Sequence, residues 1–247
     1  MPPEQVLVTG SRVGLGEFLC RRLGAVGLTR QNSSDVLSQH FKSEFKTIIH
    51  CANDDTDGIL LQNILKLKHN QFVFFSSSDV YPDDEAIHFE SEVIDAGNAR
   101  SPYAKEKLST EANVLKFASN PLIIRPSGLL GSARCGENLR KLLVESSPVL
   151  TLTEDSLWNF VTYEETLKVL CGLIAAKRTG PVNLARAESV RVKTIADYLG
   201  KSPVFGNHKY RVANLNIDTV FPFAPELKQS SLDSFKNWLA LNRNTNW

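Results

Sequence analysis

An apolar run at the start of the chain, Val6-Leu7-Val8-Thr9, breaks at once into Gly10-Ser11-Arg12-Val13-Gly14-Leu15-Gly16. Helical spacing follows, with Leu15, Phe18, Leu19 and Leu23 on one face and Gly24 as a stop. A strand that passes straight into a helix through three glycines narrows the choice of fold sharply. Gly10 serves the tight turn, Gly14 lets the backbone approach a bound pyrophosphate, and Gly16 lets the helix pack close to the strand. The N–H groups that open such a helix lack intrahelical partners and favour phosphate. Gly10, Arg12, Gly14, Leu15 and Gly16 are therefore candidates for holding a dinucleotide, although their spacing is G-x-x-x-G-x-G rather than G-x-G-x-x-G.

The rest of the first half repeats the alternation. Strand-length runs at 25–29, 47–52 and 72–75 bracket a helical stretch at 59–67. Ser101-Pro102 reads as N-cap and first helical residue of a helix that Asn120-Pro121 closes, and Leu122-Ile123-Ile124 is the next strand. Strands alternating with helices predict an α/β chain with a Rossmann-like, doubly wound parallel sheet. Beyond about Gly131 the alternation weakens to helical stretches at 164–176, 192–199 and 231–241, the last with Leu232, Phe235, Trp238 and Leu239 on one face. The expected organisation is a sheet domain over residues 1–130 and a smaller C-terminal substrate lobe over 131–247, packed on it.

Composition bounds the function. With 247 residues, 42% of them apolar and 13 Phe, the chain can bury a large core. Lys plus Arg number 28 against 27 Asp plus Glu, so nothing in the charge balance calls for nucleic acid or an anionic membrane as partner. Cys20, Cys51, Cys135 and Cys171 form no C-x-x-C pair, which argues against a disulfide framework or a metal site and for a reducing compartment. No apolar run nears the ~18 residues of a membrane span, and the opening Met-Pro-Pro-Glu-Gln lacks a secretory pattern. The expectation is a soluble, cytoplasmic protein.

Two further groups carry chemistry. Folds that bind NAD place an acidic residue ~20 positions after the glycine turn, on the ribose hydroxyl. Arg30 stands there instead, and its guanidinium suits a 2′-phosphate, so NADP is favoured over NAD, with Arg12 adding charge. Read blandly, both are surface cations. Tyr103 and Lys107 are four apart on one helix face, where an ammonium would stabilise phenolate and lower the phenol's pKa. Ser77 follows the strand 72–75 and would present its hydroxyl at the sheet's carboxyl edge, with Ser76 and Ser78 as alternatives in the same run. The Tyr-x-x-x-Lys pair alone is a weak signal; its place after a glycine turn and a post-strand serine gives it weight.

In this order the motifs resemble the short-chain dehydrogenase/reductase superfamily, in its extended epimerase/dehydratase branch. The pieces that carry the resemblance are 9–16, 48–52, 72–82, Ser101-Pro102-Tyr103-Ala104-Lys105-Glu106-Lys107, Ile124-Arg125-Pro126, 159–165 and 180–183. The resemblance implies that Tyr103 handles the substrate proton and that Lys107 holds the nicotinamide ribose. It also implies that Ser77 bonds the reacting oxygen, Asp35 and Val36 meet adenine, and Ala52 and the backbone after Pro126 flank the nicotinamide. A homodimer through two helices per subunit, the Tyr103 helix among them, is implied as well. The chain departs from the branch in its glycine spacing, in the short loop 53–58 and in Pro82, which replaces a glycine.

The implied reaction is hydride transfer on a nucleotide-linked sugar, by an NAD(P)-dependent reductase or epimerase. Dehydration would need an Asp-Glu pair where this chain has Ser78 and Asp79. Any of Arg134, Arg140, Lys141 or Arg186 is a candidate to meet the substrate diphosphate, while each taken singly reads first as an ordinary surface charge. Two other readings stand beside this one: an NADPH-dependent reductase of a non-sugar carbonyl, which the short lobe would suit, and a catalytically idle NADP-binding protein.

Overall fold

The computed structural model describes residues 5–29, 31–40, 43–52, 58–131, 135–211 and 214–242, with the side chains of Asp35 and Val36 outside that description. The chain begins as β1 (Val6–Thr9), α1 (Gly14–Leu23), β2 (Val26–Leu28), α2 (Ser33–His40), β3 (Glu44–His50), α3 (Ile59–Leu65) and β4 (Lys68–Phe75). It continues as α4 (Pro102–Phe117), β5 (Pro121–Pro126), β6 (Gly128–Leu130), α5 (Glu137–Val144), β7 (Leu157–Trp158) and β8 (Phe160–Thr162). The remaining elements are α6 (Tyr163–Ala175), β9 (Gly180–Leu184), β10 (Val190–Arg191), α7 (Val192–Tyr198) and α8 (Ser231–Leu241).

Six strands form one sheet in the order β2-β1-β3-β4-β5-β9, every pairing parallel. Parallel strands need helices on both faces, and their residues alternate between two cores. Val6 and Val8, Val73 and Phe75, and Leu122 and Ile124 point to the side covered by Leu15 and Leu19 of α1 and Val169, Leu170 and Leu173 of α6. Leu7, Phe72, Phe74 and Ile123 point the other way, against Leu61 and Ile64 of α3 and Val114 of α4. Because β1 pairs with β2 on one side and β3 on the other, the strand order reverses at β1. The crevice over the carboxyl ends of β1 and β3 is the place where such sheets bind ligands.

The chain past residue 130 does two things. It supplies the sixth strand, β9, and the covering helix α6. It also builds a separate hydrophobic cluster from Leu139, Leu142, Phe160, Ile195, Phe235 and Trp238, stitched by the Trp238 indole N–H donating to the Gly131 carbonyl at 3.2 Å. Among the described residues no helix is long and apolar enough to cross a membrane.

Candidate active site

The glycine turn is built for close contact. Gly10 and Gly14 have φ of +70° and +68°, a region that L side chains rarely adopt. A Cβ on Gly16 would lie 2.4 Å from the Gly10 carbonyl oxygen, so only glycine lets α1 start so near the strand end. No side chain caps the first turn of α1. At the neighbouring strand, the Thr9 hydroxyl accepts the N–H groups of Cys51 and Ala52 at 3.2 and 3.3 Å and meets His50 Nδ1 at 2.8 Å. That fixes the exit of β3 beside the turn.

A cleft of about 1000 Å³ runs along this edge. Gly10, Arg12, Gly14, Leu15, Gly16, Ala52, Ser77, Tyr103, Lys107 and Pro126 all line it. Arg30 lies outside the described residues, as do Asp54, Asp55, Asp57 and Arg134. Asp35 and Val36 belong to α2. The cleft walls also include residues that sequence reasoning passed over, among them Gln31, Ser33, Asn63, Ser127, Leu129 and Tyr163. Only Tyr163 carried a signal, as part of the 159–165 signature. The positive-φ glycines and the helix start without a side-chain cap fit the pyrophosphate of a nicotinamide dinucleotide, and the cleft's length of wall from α2 to Pro126 fits its two ends.

The structure also separates the three serines. Ser76 donates to Glu111. Ser78 is buried. Ser77 accepts from the Asp79 N–H at 3.1 Å and shares the cleft with the Tyr103 phenol, whose pKa it acts to lower.

Lys107 is buried, donates to the Phe75 carbonyl at 3.1 Å and lies 5.6 Å from the Tyr103 ring centroid. Burial pulls its pKa down to about 8, against the raising effect of Cys51, Glu106 and Glu111. The Tyr103 pKa goes up, contrary to the expectation that Lys107 would lower it. Desolvation is the main cause, Asp79 and Glu106 add to it, and Ser77 opposes it. The residue is 40% exposed overall, so the effect belongs to the surroundings of its hydroxyl end. One of the three ammonium N–H groups goes to the Phe75 carbonyl, and in this arrangement the phenol keeps its proton.

One further expectation changes. Arg186 does not face a substrate: it is buried and donates to the carbonyls of Phe160 at 3.0 Å and Glu226 at 2.7 Å while pairing with Glu165. Lys141 pairs along α5 with Glu137 at 3.3 Å. Asp79 is also engaged, accepting from Tyr210 at 2.6 Å and Arg100 at 3.0 Å. A carboxylate held by a phenol and a guanidinium is poorly placed to act as a dehydratase base.

Residues 56–145 match the family described as NAD dependent epimerase/dehydratase, and the fold agrees with solved structures of that type over nearly the whole chain. The chain resembles that family over this stretch, just over a third of its length. A dTDP-4-dehydrorhamnose reductase from Clostridium acetobutylicum superposes on it with a TM-score of 0.75 at 14% identity, covering 97% of this chain and 100% of that one. A UDP-glucuronic acid 4-epimerase from Bacillus cereus, solved with NAD, gives 0.69 at 15% identity over 97% and 98% of the two chains. A dTDP-glucose 4,6-dehydratase from Streptomyces venezuelae, also solved with NAD, gives 0.73 at 16% over 97% and 98%. A search of curated protein sequences returned no match. The chain shares a fold with those structures, and its own cleft residues decide what chemistry is available.

Proposed function

We propose that the chain is a nicotinamide-dinucleotide-dependent enzyme that transfers a hydride to or from a carbinol carbon of a nucleotide-linked sugar, as a reductase or an epimerase. One observation carries the reading: Ser77, Tyr103 and Lys107 share a cleft with the glycine turn. When bound there, the cofactor supplies the hydride donor or acceptor. Tyr103 holds, at its phenol oxygen, the proton exchanged with the substrate oxygen. Ser77 orients that oxygen beside the phenol. Lys107 binds the nicotinamide ribose through its ammonium. A phenol whose pKa is raised stays protonated near neutral pH, the state in which it can give its proton to the substrate oxygen.

The finer assignments rest on sequence. Arg30 and Arg12 favour NADP, whereas the B. cereus epimerase and the S. venezuelae dehydratase were solved with NAD. All four cysteines are free thiols, in keeping with a reducing, cytoplasmic setting. Leu115 and Phe117 on α4 are 47% and 59% exposed, which supports a homodimer that includes this helix, measurable by light scattering.

Fluorescence titration with NADPH and NADH, followed by thermal shift with UDP- and dTDP-linked sugars on the cofactor-loaded protein, tests the reading. Tyr103→Phe is expected to lose about 10²- to 10⁴-fold in turnover while changing cofactor Kd by less than about twofold. Arg30→Glu is expected to move the preference toward NADH. A wild-type protein that binds neither dinucleotide overturns the proposal. Cofactor binding without a further shift from any nucleoside diphosphate would replace it by a non-sugar carbonyl reductase, and binding without turnover on any carbonyl by the idle protein.

A further inference from the structure

Tyr103, Lys107 and Glu111 stand at i, i+4 and i+8 on α4, one stripe of the helix. Opposite them, the exit of β4 presents three consecutive residues, and each meets one member of the stripe. The Phe75 carbonyl accepts from Lys107 at 3.1 Å. The Ser76 hydroxyl donates to Glu111. The Ser77 side chain shares the cleft with the Tyr103 phenol and acts to lower its pKa. Two of these contacts involve groups assigned above to substrate and cofactor, and the third involves neither.

Glu111 is also the anchor of a buried polar chain. Its two oxygens accept from Arg125 Nε at 3.1 Å and Nη2 at 2.7 Å, a bidentate pair. Arg125 Nη1 donates to the Tyr81 hydroxyl at 2.9 Å, which donates to Asn183 at 2.8 Å. Ser76, Glu111 and Arg125 are each 3–4% exposed. Arg125 directly precedes Pro126 of the cleft wall, so the chain of bonds ties α4 to the ends of β4, β5 and β9. A buried ion pair of this kind gives little stability over an apolar pair of equal volume. Placement is the better account of it.

We propose that Glu111 is a positioning residue: by locking the register of α4 against the exit of β4, it sets Lys107 and Ser77 where the nicotinamide end of the cofactor is bound. The inference rests on the cofactor reading above and deepens it. Its consequence is selective. Loss of the lock should loosen the nicotinamide half of the site and spare the half built by the glycine turn and β2, which takes the adenosine diphosphate.

The test compares two ligands on one protein: the reduced dinucleotide that the wild type binds more tightly, and ADP, which lacks the nicotinamide half. Glu111→Gln keeps the shape and removes the charge; it is expected to weaken the dinucleotide about tenfold, the value of one charge-assisted hydrogen bond, and to leave ADP within about twofold. Because the single variant orphans the buried Arg125 charge and can fail to fold, Glu111→Gln/Arg125→Met is measured beside it, with the same selective loss expected. A merely structural role would lower thermal stability and leave the dinucleotide-to-ADP ratio at its wild-type value, and that result overturns the proposal, as does parallel weakening of both ligands. A wild type that binds ADP but gains nothing from the nicotinamide half would overturn the cofactor reading itself, and this inference with it.

Discussion

His50 shows how one hydroxyl can fix a protonation state. Thr9 Oγ1 already accepts two backbone N–H groups, so its own hydrogen goes to His50 Nδ1, and the imidazole acts there as acceptor. The ring is buried between Phe72 and Phe74, and burial first, then the Lys107 charge, pushes its pKa down to about 3. In the unfolded chain the same group titrates near 6.5. Between those values the unfolded state binds the extra proton, so stability falls as pH falls. From pH 6 to pH 4 this one residue should cost about 2 kcal/mol. His50→Asn, whose amide oxygen can still accept from Thr9, should lose that much less than wild type over the same range in urea denaturation. Equal losses in the two proteins would show that the imidazole is not the group responsible.

At the scale of elements, the closeness of α1 to the strand end is the exacting feature. Gly16→Ala puts a methyl against the Gly10 carbonyl, so the helix must move; about 1–3 kcal/mol of stability and most dinucleotide affinity should go together, by denaturation and titration on the same sample. A variant with normal dinucleotide affinity would show that the close approach is dispensable. This turn was legible in sequence because three glycines sit between two local patterns. The start of α4 was legible too: Ser101 caps it, accepting from the Ala104 N–H at 3.0 Å, with Pro102 in the first turn. Short α5 was not, since Gly136 offers no capping side chain and eight residues give barely two turns of periodicity. Nor was the link between Glu111 and Arg125, because nothing local to either residue announces the other. The rise in the Tyr103 pKa was equally hidden. Spacing placed the lysine on the right face but could not show how far burial, with Asp79 and Glu106 nearby, would outweigh its charge at the phenol.

At the scale of the whole molecule, the part beyond residue 130 is fastened from within. Arg186 Nε and Nη1 hold the carbonyls of Phe160 and Glu226, its Nη2 pairs with Glu165, and its backbone N–H donates to Asn159 at 2.8 Å. Removing such a cation strands a buried carboxylate, so Arg186→Met should cost about 3–5 kcal/mol in chemical denaturation. Nucleoside diphosphate affinity of the folded fraction should be unchanged, whereas loss of that affinity at full stability would return Arg186 to a ligand-facing role. The pairing of β5 with β9 also has a consequence for synthesis. While the ribosome is still making residues 131–179, the apolar edge of β5 has no neighbour. A nascent chain at that stage carries an open, sticky border, and a stall there invites aggregation until Gly180–Leu184 emerges to close it.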